Sequence, residues 1–253
     1  MKRLEGNVTI VTGGGKGIGY GLAVAFAKEG SNLVLTGRTE SRLLAAAEKL
    51  KAEYGVEVIT FVADGADEEA VKRVVAGTLE KYGKIDTLVN NAQVSKAGMP
   101  LIEHSKADFA LAIDSGLYAA FFYMRECYQA LKASKGSVIN FASGAGLFGK
   151  VGQASYAAAK EGIRGLSRVA ASEWGPDGIR VNVVCPLAMT ESLVEWKEKY
   201  PELYNNTIQG IPLGRFADPA DDIGRVCVFL ASEDAHYVTG ETITLQGGSG
   251  LRP

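Results

Sequence analysis

The sequence predicts an α/β protein, a single-domain doubly wound (Rossmann-type) seven-stranded parallel sheet with helices on both faces, spanning residues 1–253. Three observations lead to this fold class. Short apolar runs rich in Val and Ile lack a clean alternation of polar and apolar residues, which is typical of strands buried on both faces. Longer amphipathic segments separate these runs, and such strict alternation predicts right-handed crossovers. A glycine-rich turn follows the first run.

The elements are predicted in chain order from these two patterns. The apolar runs predict strands at NVTIVTG (7–13), SNLVLTG (31–37), VEVITFVAD (56–64), KIDTLVNNA (84–92), GSVINFAS (136–143), IRVNVVCP (179–186) and ETITLQGG (241–248). The amphipathic segments predict helices over 18–30, 40–55, 68–83, 105–133, 154–174 and 219–232. Residues 187–216 leave this rhythm, and we expect an irregular insertion that serves as a substrate lid.

Composition limits the partners of the chain. Hydrophobic residues make up 47% and charged residues 22%, with a net charge of -2, which is ordinary for a cytoplasmic globular protein and favours neither nucleic acid nor an acidic membrane. No apolar stretch is long enough to span a bilayer. The three cysteines, Cys127, Cys185 and Cys227, have no metal-binding spacing, so we expect buried thiols in a reducing compartment and no metal.

Polar and turn residues follow the predicted strands at their carboxyl ends. They are Thr12, Asp64, Asn90, Ser143 and Pro186. Ligands of doubly wound sheets bind beyond these ends of the strands, so we expect the site there.

The first strand-to-helix junction reads TGGGKGIG, residues 12–19. Glycines at this point let the backbone approach a pyrophosphate, and the next helix directs its N-terminal amides at the anion. Any tight turn of this kind also needs one or two glycines, but the position between first strand and first helix favours dinucleotide binding.

The residue after the second strand bears on which dinucleotide binds. NAD sites usually carry an acidic residue there, whereas this chain has Gly37 followed by Arg38. An arginine can pair with a 2′-phosphate, and Lys16 adds a second cation, so the sequence predicts NADP(H). The alternative is that Arg38 is only a solvated loop charge.

Tyr156 and Lys160 lie four residues apart in QASYAAAKEGIRG, a segment with strong helix propensity. Residues at i and i+4 share one face of a helix, so a phenol lies near an ammonium. A tyrosine pKa of about 10 is too high for a general base near neutrality, and a nearby cation favours the phenolate. Taken alone, the pair could equally be a solvated surface contact.

These motifs together resemble the short-chain dehydrogenase/reductase family over essentially the whole chain. The resemblance lies in TGGGKGIG, in NNAQ at 90–93, in Ser143 followed by YAAAK, in CPLAMT at 185–190 and in YVTGETITLQGG. It implies hydride transfer between nicotinamide C4 and a secondary alcohol or ketone, and a homotetramer built on the two long helices. The catalytic residues it implies are Ser143, Tyr156 and Lys160. The cofactor-binding residues it implies are Gly13, Gly15, Lys16, Gly17, Ile18, Gly19, Arg38, Asp64, Asn91, Tyr156, Lys160, Pro186 and Thr190.

The resemblance assigns roles that have simpler alternatives. It implies that Tyr156 is the general acid/base, that Lys160 lowers the tyrosine pKa and holds the cofactor ribose, and that Ser143 hydrogen bonds to the substrate oxygen. Ser143 could instead cap a strand, and Asp64, which could accept from the adenine amino group, could be a turn aspartate. Asn90 could satisfy backbone groups between strands, which would be a structural role.

Within the family, several stretches resemble the bacterial bile-acid hydroxysteroid dehydrogenases that act at the 12α position: NNAQ, MRECY, NFASGAGLFG, SYAAAKEGIRGLSRVAA and VVCPLAMT. Three positions depart from the family pattern. Gln93 and Leu187 replace glycines near the nicotinamide end, and Asp114 stands where the family has a catalytic asparagine, with Ser115 adjacent. An ionised aspartate only accepts hydrogen bonds, so its part in a proton relay is left open.

The segment 187–216 offers apolar side chains that could form a cleft for a rigid apolar substrate such as a steroid, or could pack a small helix on the core. They are Met189, Leu193, Val194, Trp196 and Tyr200. A carboxylate tail of the substrate could meet Lys197, Lys199 or Arg215. The alternatives are a ketoreductase for a β-ketoacyl or polyol substrate, and a non-catalytic cofactor-binding regulator.

Overall fold

The computed structural model describes residues 2–250, without the side chain of residue 192; the outermost residues of the predicted domain lie outside that range. Within it, seven parallel strands form one sheet in the order β3-β2-β1-β4-β5-β6-β7. The strands are β1 (Val8–Thr12), β2 (Asn32–Gly37), β3 (Val58–Val62), β4 (Thr87–Asn90), β5 (Ser137–Phe141), β6 (Arg180–Pro186) and β7 (Thr242–Leu245). The fold class predicted from the sequence is therefore confirmed.

Helices cover both faces of the sheet. They are α1 (Gly17–Lys28), α2 (Glu40–Tyr54), α3 (Glu68–Tyr82), α4 (Lys106–Ala112), α5 (Ala119–Ser134), α6 (Gly144–Phe148), α7 (Ala154–Trp174), α8 (Glu191–Lys199), α9 (Pro201–Gln209) and α10 (Arg225–Ala231). Residues Ile113–Tyr118 and Pro219–Gly224 form π-helical turns that lead into α5 and α10.

Local sequence signals set the ends of several helices. Asp67 caps α3 by accepting hydrogen bonds from the amides of Glu69 and Ala70, and the helix ends at Gly83, whose φ of 73° is left-handed. Ser105 and Asp108 form a reciprocal capping box at the start of α4. These short-range bonds place helix boundaries close to those that the sequence predicts.

The core is divided by the sheet into two apolar layers. One layer buries α1, α2 and α10 against the sheet, with Leu22, Phe26 and Leu35 fully buried. The opposite layer buries α3, α5 and α7, with Tyr123 and Leu131 inside it. Burial on both faces explains why the strands lack an alternating pattern.

The long helical region predicted over 105–133 is present as α4, the π-helical turn and α5 in direct succession. In the turn, the Ser115 hydroxyl accepts from the amide of Val94 (3.1 Å) and lies 2.9 Å from its carbonyl oxygen. One sequence prediction needs correction. The segment 187–216, predicted to be irregular, contains α8 and α9. Their apolar side chains pack on one another rather than on the sheet, so the strand-helix rhythm gives no sign of them.

The carboxyl ends of β1 and β4 lie side by side although three crossovers separate them in the chain. The strand order reverses here, since β2 and β3 continue to one side and β5 to β7 to the other. A crevice opens at such a point. Among the described residues, no helix combines the length and the apolar character needed to cross a membrane.

Candidate active site

A groove of about 610 Å³ lies at this topological switch point. Its walls come from the glycine-rich turn, the residues after β2, β3 and β4, the π-helical turn before α5, and the start of α8. The residues predicted to bind cofactor that line it are Gly13, Gly15, Lys16, Gly17, Ile18, Gly19, Arg38, Asp64, Asn91, Lys160 and Thr190. Of the other two, Tyr156 lies on α7 and Pro186 ends β6.

The glycine-rich turn is so close to its neighbours that side chains are excluded. A Cβ atom on Gly19 would lie 2.2 Å from the carbonyl oxygen of Gly13, and Gly13 itself has a φ of 69°. Lys16 precedes α1 without making a side-chain cap, so the first amides of the helix face the groove without a side-chain acceptor. This cradle suits the pyrophosphate of a dinucleotide.

Thr12 joins the ends of β1 and β4 beneath the groove. Its hydroxyl accepts hydrogen bonds from the amides of Asn91 (2.9 Å) and Ala92 (3.0 Å), and its carbonyl accepts from the Asn91 side chain at 3.0 Å. The Asn91 amide also lies 3.1 Å from the position of a Cβ on Gly13. Asn91 therefore holds the glycine-rich turn against β4.

Three cations line the end of the groove beyond β2, namely Lys16, Arg38 and Arg42. Arg38 lies 3.9 Å from the carboxylate of Asp64, and the two side chains are 58% and 48% exposed. Asp64 also accepts from the amide of Ala66 at 3.1 Å, the bond of a turn aspartate. The sequence interpretation missed Arg42, although its spacing of four from Arg38 at the start of a helix was a usable signal.

Ser143, Tyr156 and Lys160 come together beyond the end of β5. Ser143 precedes α6, where its hydroxyl accepts from the amide of Ala145 at 3.1 Å, and its side chain acts on Tyr156 to lower the tyrosine pKa. The Lys160 ammonium lies 5.5 Å from the centre of the Tyr156 ring and donates to the carbonyl of Phe141 at 2.6 Å. Lys160 is 3% exposed.

Burial shifts the pKa values of both Lys160 and Tyr156. It lowers the pKa of Lys160 to about 7, and it raises the pKa of Tyr156 above 10, an effect that the Ser143 side chain offsets only in part. The net effect on Tyr156 is thus a raised pKa, and the expectation that Lys160 lowers it stays a prediction. Desolvation disfavours both charged forms, and the lysine loses its proton near neutrality instead of supplying a full charge.

A buried amide chain orients α7 on the sheet. Asn90 and Asn140 are in register on β4 and β5, and the Asn90 amide donates to Asn140 at 2.8 Å. Asn140 in turn donates to the hydroxyl of Ser167 on α7 at 2.8 Å. Asn90 therefore joins two strands through the side chain of Asn140 rather than through backbone groups, and the chain of amides also connects to the helix that carries Tyr156 and Lys160.

Asp114 does not reach the groove. Its side chain is exposed, and the lining on this side is formed by the next residues, Ser115 and Gly116. Asp114 is therefore not among the residues that line the groove, whereas the adjacent Ser115 is. A π-helical turn adds a residue to the helical repeat, and that shifts the face on which each side chain lies.

The segment 187–216 forms a separate apolar cluster on a narrow neck. Met189, Leu193 and Trp196, predicted as possible cleft residues, pack against Tyr204, which leaves Val194 43% and Tyr200 42% exposed. The amide of Met189 donates to the carbonyl of Ala217 (2.9 Å), joining the two arms of the neck. Thr190, Glu191 and Glu195 face the groove.

The three cations considered for a substrate carboxylate differ in their partners. Arg215 binds both carboxylate oxygens of Asp222, so its charge is already neutralised. Lys197 and Lys199 lie 4.9 Å and 5.3 Å from the ring centres of Tyr204 and Tyr200. Lys197 and Lys199 are therefore the better candidates for binding a substrate carboxylate.

A family model described as enoyl-(acyl carrier protein) reductase, one of the short-chain dehydrogenase models, matches residues 13–249. The chain belongs to the short-chain dehydrogenase/reductase family, a family of oxidoreductases with a nicotinamide-binding fold. The resemblance predicted from its motifs is thus confirmed.

Among curated proteins, the chain is 60% identical to the 12alpha-hydroxysteroid dehydrogenase of Clostridium sp. (strain ATCC 29733 / VPI C48-50), over 100% of both chains. It is 34% identical to a 3-oxoacyl-[acyl-carrier-protein] reductase of Thermotoga maritima, covering 97% of this chain and 98% of that protein. Among solved structures, L-sorbose reductase from Gluconobacter frateurii complexed with NADPH and L-sorbose matches with a TM-score of 0.92 and 30% identity, covering 98% of each chain.

Proposed function

We propose that this protein is an NADP(H)-dependent hydroxysteroid dehydrogenase that interconverts a secondary 12α-hydroxyl group and the ketone on a bile acid. The observation that carries the proposal is the 60% identity to a 12alpha-hydroxysteroid dehydrogenase, which extends over the full length of both chains. The proximity of Ser143, Tyr156 and Lys160 supports it, since two hydroxyl groups and an amine that can gain or lose a proton lie together.

In this proposal Tyr156 is the general acid/base and exchanges its phenolic proton with the substrate oxygen. Ser143 donates a hydrogen bond to that oxygen as charge develops on it. The bound nicotinamide supplies the hydride acceptor or donor at C4 and, when oxidised, a positive charge. A cation beside Tyr156 favours the phenolate, which opposes the rise in its pKa that burial causes.

Lys160 holds its neutral or charged amine at the base of the groove, anchored on the Phe141 carbonyl. Because its pKa is lowered to about 7, it can give up and regain a proton at neutral pH. We propose that it holds the ribose hydroxyls of the cofactor and passes protons to and from Tyr156.

The preference for NADP(H) rests on charge. Gly37 ends β2 without an acidic side chain after it, and Lys16, Arg38 and Arg42 surround the groove where an adenosine phosphate would lie. Arginine forms two parallel bonds with phosphate oxygens, and an additional lysine adds attraction. Asp64 is proposed to face the adenine.

We propose that residues 187–216 act as the substrate lid of a one-domain protein. The paired arms at Ala188 and Ala217 provide a neck, and the cluster around Tyr204 lets the two helices move as one body. The exposed Val194 and Tyr200 give an apolar surface for a rigid substrate.

The remaining proposals concern assembly and location. Leu111, Tyr118, Phe121 and Val169 are exposed on or between α4, α5 and α7, as expected for helices that pair in a homotetramer. We propose a cytoplasmic homotetramer. Its mass in solution, measured by light scattering during size-exclusion chromatography, tests the assembly.

Kinetics with bile acids test the function. We expect NADP+ reduction with 12α-hydroxy bile acids, NADPH oxidation with 12-oxo bile acids, and little rate with bile acids that carry only 3α- or 7α-hydroxyl groups. The matched control is Tyr156→Phe. Absence of activity on every 12-substituted bile acid would exclude the steroid assignment.

A second candidate function, reduction of a 3-oxoacyl thioester, is tested in the same experiment. The matching family model is described as an acyl-carrier-protein reductase, and several relatives at 34% identity are 3-oxoacyl-[acyl-carrier-protein] reductases. A 3-oxoacyl thioester is therefore included as substrate. Higher kcat/KM for the thioester than for 12-oxo bile acids would replace the steroid with an acyl chain.

A further inference from the structure

Gln93, the residue that departs from the family glycine after NNA, is one of the residues that line the groove. It lies three residues after the end of β4 and shares the lining with Asn91, Lys160 and Thr190. Its amide nitrogen donates to the carbonyl of Ala112 at 3.4 Å. This bond fixes the amide orientation, because only the nitrogen can donate to a carbonyl.

The other end of the same amide has no partner within the described part of the protein. The Oε1 atom of Gln93 is buried and accepts no hydrogen bond there. A buried polar atom without a partner destabilises a protein by about 1–3 kcal/mol, so such atoms in a binding groove are candidates for contact with a ligand.

The helix opposite is shaped to admit this side chain. A Cβ atom on Gly116 would lie 2.7 Å from Cδ of Gln93, 2.8 Å from Oε1 and 2.9 Å from Nε2. Gly116 is buried in the π-helical turn, next to Ser115, which binds the backbone of Val94. The amide therefore rests on bare backbone of this helical turn.

We propose that Oε1 of Gln93 accepts a hydrogen bond from the nicotinamide riboside half of the dinucleotide, and that Gln93 is a positioning residue for that half. The inference rests on the proposed use of a nicotinamide dinucleotide. Both the ribose hydroxyls and the carboxamide of that half are hydrogen-bond donors that match a neutral acceptor. Gln93 lies on the wall that it shares with Lys160, so the cofactor side of the site is favoured over the lid side.

Binding titrations of the protein without substrate test this, with Gln93→Met as the main variant. Methionine keeps the unbranched shape over Gly116 but removes the acceptor. We expect the Kd for NADPH to rise about tenfold, while the Kd for 2′,5′-ADP, which lacks the nicotinamide riboside, changes less than about twofold. Gln129→Met, an exposed glutamine on α5, is the matched control and should change neither.

Two outcomes overturn the proposal: unchanged NADPH binding by Gln93→Met, or an equal loss for NADPH and 2′,5′-ADP, which indicates a merely structural role. Wild-type protein that binds none of these probes overturns the proposed function as well. If NADH binds more tightly than NADPH, only the proposed cofactor preference fails, and the same comparison is made with NADH and ADP.

The 3-acetylpyridine analogue of NADP+ identifies the donor, since it lacks the carboxamide NH₂ group but keeps the ribose hydroxyls. If Gln93→Met also weakens binding of this analogue, the donor is a ribose hydroxyl. If the variant binds the analogue as tightly as wild type does, the donor is the carboxamide.

Gly116→Ala provides a second variant, because its methyl group displaces the Gln93 amide. We expect it to weaken NADPH binding, and Gln93→Ala/Gly116→Ala to bind no more weakly than Gln93→Ala. Losses of NADPH binding free energy that add up in the double variant would contradict the proposed contact between Gly116 and the Gln93 amide.

Discussion

The two ends of the groove differ in how far their charged side chains are exposed to water. At one end Lys160 is 3% exposed and its pKa is lowered to about 7, because burial disfavours the ammonium. At the other end Arg38 and Asp64 are about half exposed and only 3.9 Å apart. Desolvation thus governs the end proposed to be catalytic, whereas screened charges govern the end proposed to bind the adenosine phosphate.

The largest effect is expected at the buried end. Tyr156→Phe removes the proposed proton donor, and we expect kcat to fall about 10³-fold. The measurement is steady-state turnover with a 12-oxo bile acid and NADPH. NADPH binding should change little, and a kcat within tenfold of wild type would remove Tyr156 from the mechanism.

The next largest effect is expected at the exposed end. Arg38→Ala removes a phosphate partner, and we expect kcat/KM for NADPH to fall about 10–100-fold while that for NADH stays nearly constant. Because the side chain is 58% exposed, the loss should shrink as the salt concentration rises from about 0.05 M to about 0.5 M. Arg73→Ala, on the outer surface of α3, is the matched control. Equal losses with both cofactors would refute the preference.

Stability against pH separates the two ends further. Lys160 has a lowered pKa in the folded protein, so its charged form is disfavoured by folding below about pH 7, and this destabilisation fades as pH rises toward the unfolded pKa of 10.5. Lys160→Met lacks this dependence. Relative to wild type, we expect its free energy of unfolding to fall by on the order of 3 kcal/mol between pH 6.5 and about pH 10.

Urea unfolding at several pH values measures this difference. The methionine variant also loses the bond to the Phe141 carbonyl, but that contribution does not vary with pH, so the slope alone is diagnostic. Parallel stability curves for the two proteins would show that Lys160 keeps an ordinary pKa when folded.

The smallest effect is expected for Asp64→Asn. The Arg38–Asp64 pair is solvent-screened, and such pairs contribute little to stability. We expect an unchanged melting temperature and a change in the Kd for NADPH of less than about threefold. A tenfold change, measured by fluorescence titration, would show that the pair holds Arg38 in place and that the two ends are less different than the burial suggests.

Much of this protein follows from its sequence alone. Apolar runs and amphipathic segments specify the parallel sheet, because burial on both faces and a helical period leave local signatures. The glycine-rich turn and the YAAAK segment place Gly13, Gly19, Tyr156 and Lys160, because their spacing is fixed by one turn or one helix.

Tertiary structure decided what depends on contacts between distant segments. The π-helical turn moves Ser115 and Gly116 into the groove and Asp114 out of it, through bonds to Val94 that local propensity does not encode. The helices of 187–216 bury Trp196 against Tyr204, a choice set by packing within the segment. The pKa of Lys160 was decided in the same way: spacing placed a cation beside a phenol, but only burial by the assembled sheet and α7 determined that its charge is disfavoured.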